Sequence, residues 1–154
     1  VFSLGVLQVK ERASSLGPPS PELAEKAQLG DEILYLGRDH LPSVVQPGQK
    51  LSITVYWQAL KPTHNSYKVF LHLLNPNGAI VAQMDNVPLN GSFPTSDWLE
   101  GEFVEDTYEL TIPEDCTPGI FQLVGGMYDE VTQRRIEIAG APGNMIPLGV
   151  VAVK

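Results

Sequence analysis

Apolar and polar residues alternate along several short stretches of this chain. In residues 51–58, LSITVYWQ, every second residue from Leu51 to Trp57 is apolar, and mostly polar residues lie between them. Successive side chains of a β-strand point to opposite faces. The pattern therefore predicts a strand with one core-facing side and places Trp57 in that core. The alternative is that Trp57 belongs to an exposed aromatic platform.

Runs rich in Val, Ile, Leu, Thr and aromatic residues recur between turns that contain Pro and Gly, of which the chain has 13 and 14. Many short strands with such punctuation are typical of an all-β domain. We expect a single antiparallel β-sandwich over residues 1–154, immunoglobulin-like or jelly-roll. The predicted strands are Leu4–Val9, Glu32–Arg38, Leu51–Gln58, Tyr67–Leu74, Ile80–Met84, Glu105–Ile112, Ile120–Tyr128, Arg135–Ile138 and Leu148–Val153.

Residues 20–30, SPELAEKAQLG, are the one stretch that favours a helix, of one or two turns. Ser20 suits an N-cap and Pro21 suits the first helical position. Residues 13–21, ASSLGPPSP, predict a linker-like loop after the first strand. The first stretch, SLGVLQVK, resembles the last, PLGVVAVK, which indicates two similar strands in equivalent positions or paired with each other.

Two predicted strands carry unusual residues. Residues 67–74, YKVFLHLL, are apolar on both faces, so we expect a central, well-covered strand in which His72 has a structural role rather than a ligand role. Gly125 and Gly126 lie inside another strand pattern, FQLVGGMYD. Glycines in a strand interior indicate a bulge or a close approach of another backbone, and this is preferred here to a phosphate-binding loop.

The net charge of −8 is unevenly distributed, because residues 69–133 contain eleven acidic residues and no Lys or Arg. Such a surface repels phosphate backbones and anionic lipid headgroups, so we expect neither nucleic-acid binding nor direct membrane contact. The acidic stretch indicates solubility or, alternatively, a calcium site. No D-x-D-x-D-G loop is present, so no cofactor is predicted.

Catalytic and metal-binding patterns are weak. Cys116 is the only cysteine and follows two acidic residues in a predicted turn, which disfavours a reactive thiolate. His40 and His64 lie in predicted loops and, with His72, show no zinc-ligand spacing. We predict no catalytic residues and no metal site. The alternative is a small metal-dependent hydrolase that uses His and carboxylate side chains.

Residues 85–103, DNVPLNGSFPTSDWLEGEF, form a long connection with no strand pattern. Long loops in compact domains are often functional. Phe93 and Trp98 could stack on sugar rings while Ser96, Asp97 and Glu100 accept hydrogen bonds from hydroxyl groups. With no basic residue nearby, this arrangement favours a neutral glycan. The alternative is that both rings fold inward and cap one end of the sandwich.

Four segments within residues 29–138 carry a family resemblance: YWQA, VFLHLLNPNG, PTSDW followed by GE, and the strand PGIFQLVGGMYD. They resemble the soluble C-terminal β-sandwich region of bacterial membrane glycosyltransferases of the dolichyl-phosphate-mannose-protein mannosyltransferase type. The resemblance implies a non-catalytic accessory domain outside the membrane. It carries no site residues over to this chain.

We therefore expect an extracytoplasmic accessory module that contacts a neutral glycan or an envelope protein and is not itself an enzyme. The chain begins with Val1 rather than Met, which predicts a processed product or a piece of a longer protein. At the cell surface or in the periplasm, a membrane domain outside this sequence could tether it. A purely structural spacer is a further alternative.

Overall fold

The computed structural model describes residues 14–15 and 17–154, which form two five-stranded β-sheets packed face to face. The strands are β1 (Ser14–Ser15), β2 (Leu23–Leu29), β3 (Ile33–Arg38), β4 (Val44–Val45), β5 (Lys50–Ala59), β6 (Tyr67–Leu74), β7 (Ile80–Asn86), β8 (Phe103–Thr111), β9 (Gly119–Asp129) and β10 (Ile146–Val153). Two 3₁₀ helices, Thr95–Asp97 and Pro142–Asn144, interrupt the loops. None of the helices in the described part of the chain has the length and apolar character to cross a membrane.

The first sheet has the strand order β1-β8-β5-β3-β2, and the second has the order β4-β10-β9-β6-β7. Neighbouring strands are antiparallel except for the short parallel pair of β4 and β10. The expected all-β sandwich is thereby confirmed. Because β6 and β9 are inner strands of the second sheet, their outward-facing side chains have neighbours on both sides.

The inner faces of the two sheets form one hydrophobic core. Trp57 is 2% exposed, and its ring lies 5.7 Å from that of Tyr35 on the neighbouring strand, in an edge-to-face arrangement. The alternation in residues 51–58 thus assigned this strand's core face correctly. Aromatic pairs of this geometry add to the stability that area burial provides.

Seven of the predicted strands correspond to β3, β5, β6, β7, β8, β9 and β10, with ends that differ by up to two residues. Residues 135–138 are not a regular strand, because they make only isolated bridges, Tyr128 to Arg135 and Leu29 to Ile138. The predicted strand Leu4–Val9 lies outside the described residues. Within the predicted linker, Ser14–Ser15 pair with Val104 and Phe103 at the edge of the first sheet.

The helix prediction for residues 20–30 was wrong, because this stretch contains β2, an edge strand paired with β3. A helix of one or two turns is marginal in water without tertiary support. As a strand, the segment gains backbone hydrogen bonds to β3 and buries Leu29 in the core. Its exposed Glu25 and Lys26 are charged side chains of the kind that protect sheet edges from further pairing.

The glycine pair in β9 marks the expected close approach. A Cβ atom on Gly126 would lie 2.9 Å from ring atoms of Phe70 on β6 and 2.9 Å from the Asn144 carbonyl oxygen. A Cβ atom on Gly125 would lie 2.8 Å from the Phe70 carbonyl oxygen. The missing side chain of Gly126 therefore lets the Phe70 ring lie directly against the outer surface of β9.

Candidate functional site

The long connection between β7 and β8, residues 87–102, is named the closing loop here because it covers one end of the sandwich. Both of its aromatic rings are buried: Phe93 is 9% exposed and Trp98 is 2% exposed. The ring centroids lie 6.2 Å apart, and the Trp98 indole N–H donates a 3.1 Å hydrogen bond to the Phe93 carbonyl oxygen. Stacking on a sugar requires exposed ring faces, and these two rings contact the core instead.

Polar contacts hold the closing loop in this inward arrangement. The Thr95 hydroxyl, 0% exposed, accepts a 2.9 Å hydrogen bond from the Tyr67 backbone N–H and donates one of 2.7 Å to the Asn65 carbonyl oxygen. Ser96, Asp97 and Glu100 are exposed on the opposite side of the loop. The structure therefore separates the polar residues of the predicted sugar site from its rings, as in the alternative in which the rings cap the sandwich.

A buried carboxylate also anchors the closing loop. Asp106 on β8 is 0% exposed and accepts hydrogen bonds from the Tyr108 hydroxyl and, at 3.0 Å, from the Leu89 backbone N–H. Burial raises the pKa of Asp106 to about 6, although these two donors and the nearby Trp57 indole favour the charged form. The loop is thus tied to the core through a group that titrates near neutral pH.

A second group of aromatic and charged side chains lies on the outer face of the second sheet. It consists of Phe70 and His72 on β6, Asp85 on β7, Tyr128 on β9, and Arg135 from the segment after β9, and we name it the sheet-face cluster. Strand register places these residues together, because Phe70 lies opposite Asp85 and Tyr128 bridges to Arg135. With Gln133 they line a shallow depression of about 210 Å³.

The rings of the sheet-face cluster pack on one another. Phe70 lies 5.0 Å from the His72 ring and 6.3 Å from the Tyr128 ring, in tilted arrangements. The Arg135 guanidinium lies 4.4 Å above the Phe70 ring centroid, within the range of a cation–π interaction, and donates a 2.8 Å hydrogen bond to the Gly143 carbonyl oxygen. Phe70 is only 1% exposed because these neighbours cover it. Tyr128 is partly exposed and Arg135 is exposed, so these two side chains form the solvent-facing edge of the cluster.

Electrostatic contacts set the protonation states of the cluster. The Tyr128 hydroxyl donates a 2.9 Å hydrogen bond to Asp85, and burial together with this carboxylate raises the pKa of Tyr128 to about 12. Burial lowers the pKa of His72, and the positive charge of Arg135 lowers it further, against the opposing effect of Asp85. His72 is therefore neutral at pH 7 and presents one hydrogen-bond donor and one acceptor.

This arrangement has the features that sugar recognition uses. The partly exposed Tyr128 ring offers an apolar surface, while Asp85, Gln133 and the neutral imidazole of His72, which is 8% exposed, can pair with hydroxyl groups. The positive charge of Arg135 and the negative charge of Asp85 offset each other within the depression. The sequence indicated aromatic rings beside hydrogen-bonding groups in residues 85–103. The structure places such a combination on the outer face of the second sheet instead.

An apolar row continues along the same outer face. Of the large hydrophobic residues that are exposed in the described part of the chain, four lie on this face: Val44, Ile80, Ile120 and Val150, which are between 44% and 62% exposed. They belong to four different strands, so the row crosses the sheet. Exposed apolar residues in such a group indicate contact with another molecule more strongly than isolated ones do.

The other candidate residues are dispersed. His40 and His64 are exposed, and neither belongs to the sheet-face cluster. Cys116 is a partly buried free thiol, and burial together with Asp115 raises its pKa, which disfavours the reactive thiolate. Among the residues that the structure describes, no group of three or more His, Cys, Asp or Glu side chains is arranged to hold a metal ion.

Sequence reasoning missed Arg135 and Tyr128 as site residues. One signal for them was available in residues 67–74, whose outer face carries Phe70 and His72. These rings require side chains from other segments to shield them from water. Arg135 provides part of that cover from 65 positions further along the chain. Its approach depends on the turn after β9, in which the Asp129 backbone N–H donates to the Arg134 carbonyl oxygen.

No protein-family model matches this sequence, and no curated protein matches it either. Among solved structures, the C-terminal domain of wzt is similar with a TM-score of 0.50 and 12% identity, over 88% of this chain and 82% of that chain. The CARDB domain of a Pyrococcus furiosus protein, determined in complex with di-metal ions, has a TM-score of 0.45 and 17% identity, over 90% and 96% of the two chains. At these identities the likeness concerns the β-sandwich fold alone.

Proposed function

We propose that this domain is a non-catalytic accessory module that binds a neutral glycan through the sheet-face cluster. The observation that carries the proposal is the partly exposed Tyr128 ring, which packs on Phe70 beside Asp85 and Gln133 in an open depression of the sheet face. A flat, shallow depression suits an extended sugar chain better than a small molecule that must be enclosed. The module then acts outside the cytoplasm, next to glycan-bearing components of the envelope.

The preference for a neutral glycan follows from charge. The domain carries a net charge of −8, so an anionic glycan is repelled at long range. Within the depression Arg135 and Asp85 offset each other, and His72 is uncharged at pH 7. Hydroxyl groups are the ligands that such a mixture of donors and acceptors fits. Affinity is expected to be weak, since a stacked ring contributes only about 0.5–1.5 kcal/mol beyond area burial.

A glycan array followed by titration calorimetry tests the proposal. We expect binding of neutral glycans, a loss of about tenfold or more in affinity for Tyr128→Ala, and unchanged affinity for Glu100→Ala, an exposed residue of the closing loop. Tenfold corresponds to about 1.4 kcal/mol. Binding that survives Tyr128→Ala but not Glu100→Ala would return the site to the loop. A broad array on which no neutral glycan binds would refute the glycan function itself.

A protein ligand in the envelope is the second candidate, favoured by the apolar row at Val44, Ile80, Ile120 and Val150. A photo-reactive residue placed at Ile120 would then form a cross-linked adduct with one partner in cells that produce the protein. The same residue placed at Glu109, which is exposed on β8 of the other sheet, serves as the control. Equal adducts at both positions, or none at Ile120, would argue against this candidate.

A further inference from the structure

A second cleft lies at the edge of the sandwich, where β2 and β3 of the first sheet meet the segment that leads into β10. Its volume is about 360 Å³, at the lower end of the range for small-molecule sites. One wall is apolar and includes Ile138, Met145 and Ile146, while the other includes Tyr35 and Glu25. We name it the edge cleft; it shares no lining residue with the sheet-face cluster.

One buried polar atom without a hydrogen-bond partner among the described residues belongs to a residue that lines the edge cleft, and a second lies next to a lining residue, Glu25. Three buried side-chain atoms form no hydrogen bond within the described part of the chain: the Tyr35 hydroxyl, Nε of Arg38 and Nε1 of Trp57. Tyr35 is 0% exposed and lines the cleft. A buried donor without a partner is costly, and most such groups in folded proteins are paired with protein or with another molecule.

The chain turns Arg38 inward at a β-bulge. Pairing with β5 shifts between Tyr35 and Gly37, so that Arg38 lies opposite Val55, a core residue. Gly37 has φ of 140°, and a Cβ atom there would lie 2.2 Å from the Leu23 carbonyl oxygen, which leaves glycine as the residue that fits. The Arg38 side chain is only 12% exposed as a result.

Glu25 also lines the edge cleft, and its side chain approaches Arg38. Nε of Arg38 lies 3.9 Å from Oε1 of Glu25, which is too long for a hydrogen bond. Burial raises the pKa of Tyr35, the charge of Glu25 raises it further, and the charge of Arg38 lowers it. The Glu25 side chain is 51% exposed, so solvent screens its contact with Arg38.

We propose that the edge cleft binds a small amphipathic carboxylate. Its carboxylate accepts hydrogen bonds from the Tyr35 hydroxyl and from Nε of Arg38, and takes the place that Glu25 occupies only loosely. Its apolar part lies along Ile138, Met145 and Ile146. Two buried donors, one of them cationic, suit an anionic oxygen pair, and the apolar wall suits a short hydrocarbon chain. This proposal is independent of the glycan function.

Sodium octanoate is the probe, with 1-octanol and sodium acetate as comparisons that lack the carboxylate or the chain. The chain contains three Met residues, and only Met145 lines the edge cleft. Their ¹³C-labelled methyl groups therefore report binding by NMR, with Met127, 0% exposed in the core, as the monitor of the fold. We expect octanoate to shift the Met145 signal saturably, with 1-octanol and acetate at least tenfold weaker.

Two variants sharpen the test. Tyr35→Phe keeps the ring that packs on Trp57 and removes one donor, so octanoate affinity should fall about tenfold. Glu25→Gln removes the competing charge near the surface, so affinity should rise severalfold. Tyr128→Phe, which removes a hydroxyl group from the sheet-face cluster, is the matched control and should leave octanoate affinity unchanged.

The proposal is overturned if octanoate gives no saturable Met145 shift while Met127 retains its native signal. It is also overturned if octanol binds as tightly as octanoate, or if Tyr35→Phe and wild type bind alike. Should Tyr35→Phe lose the native Met127 signal, Glu25→Gln decides alone. Unchanged or weaker octanoate binding in that variant rejects the proposal, and tighter binding supports it.

Discussion

The closing loop and the sheet-face cluster contain similar residue types but expose them differently. In the loop, Phe93 and Trp98 fold beneath their own backbone, and the exposed side chains are the polar ones. On the sheet, the Tyr128 ring is partly exposed beside the exposed side chains of Asp85 and Arg135, although Phe70 and His72 are buried beneath their neighbours. A loop can fold its rings inward, whereas a strand must alternate its side chains between two faces. Aromatic residues on the outer face of a sheet therefore remain near the surface.

Trp98→Ala is expected to have the largest effect on stability of the substitutions that test this comparison. Loss of a buried large aromatic should lower the free energy of unfolding by about 3–5 kcal/mol. Leu99→Ala, an exposed neighbour at 57% exposure, should change it by less than about 0.5 kcal/mol. Denaturant titration of both variants provides the measurement. A stable Trp98→Ala protein that no longer binds glycans would mean that the loop, and not the sheet, carries the site.

Asp106 should make the anchoring of the closing loop depend on pH. Its pKa in the folded protein, about 6, lies above its ordinary value of 3.8, so the folded state binds the proton more tightly than the unfolded state. The contribution of Asp106 to the free energy of unfolding therefore increases as the pH falls from about 7 to 4. The increase is up to roughly 3 kcal/mol, at 1.36 kcal/mol per pKa unit.

The difference in unfolding free energy between wild type and Asp106→Asn, followed over that pH range, isolates this contribution. Wild type should gain stability relative to Asp106→Asn as the pH falls. Glu105→Gln, an exposed neighbour on the same strand, should track wild type. If this difference in unfolding free energy does not change with pH, Asp106 is not buried as a charged group near pH 7. The anchoring of the closing loop would then not depend on the protonation of Asp106.

His72 should make glycan binding by the sheet-face cluster depend on pH in the opposite direction. Burial and Arg135 hold its pKa below the ordinary 6.5, so the ring is neutral at pH 7 and becomes charged only in more acidic solution. Affinity should be constant from pH 8 to 6.5 and then fall, by about tenfold where protonation removes the acceptor nitrogen (about 1.4 kcal/mol). Titration calorimetry of wild type and His72→Gln measures it, and an equal loss in both would exclude His72 as the cause.

Arg135→Lys should have the smallest effect. Lysine keeps the charge but loses the flat guanidinium that covers Phe70 and the donor to the Gly143 carbonyl oxygen. We expect stability to fall by about 0.5–1 kcal/mol, the usual size of such a cation–π contact. Arg134→Lys, at an exposed neighbouring position, should be neutral in the same thermal melts. Equal effects of the two substitutions would show that Arg135 does not stabilise the cluster.

The amino-acid sequence by itself determined the β-sandwich and most of its strands. Alternation at period two was sufficient for β5, whose Trp57 is buried as expected. The helix prediction from Ser20 and Pro21 failed for β2, because local helix preferences are weak and pairing with β3 decides the structure. The glycine pair in the strand pattern indicated a bulge or a close approach, and the structure shows a close approach at Gly125 and Gly126.

Tertiary structure alone decided the sites. Phe70, Asp85, Tyr128 and Arg135 are far apart in the chain, and they meet because strand register and one turn align them. Likewise, the inward direction of Arg38 depends on a one-residue register shift opposite Tyr56, which no periodicity reveals. Periodicity reports which face a side chain takes within its own strand. Which faces become covered, and by which distant residues, depends on how the strands are ordered and packed.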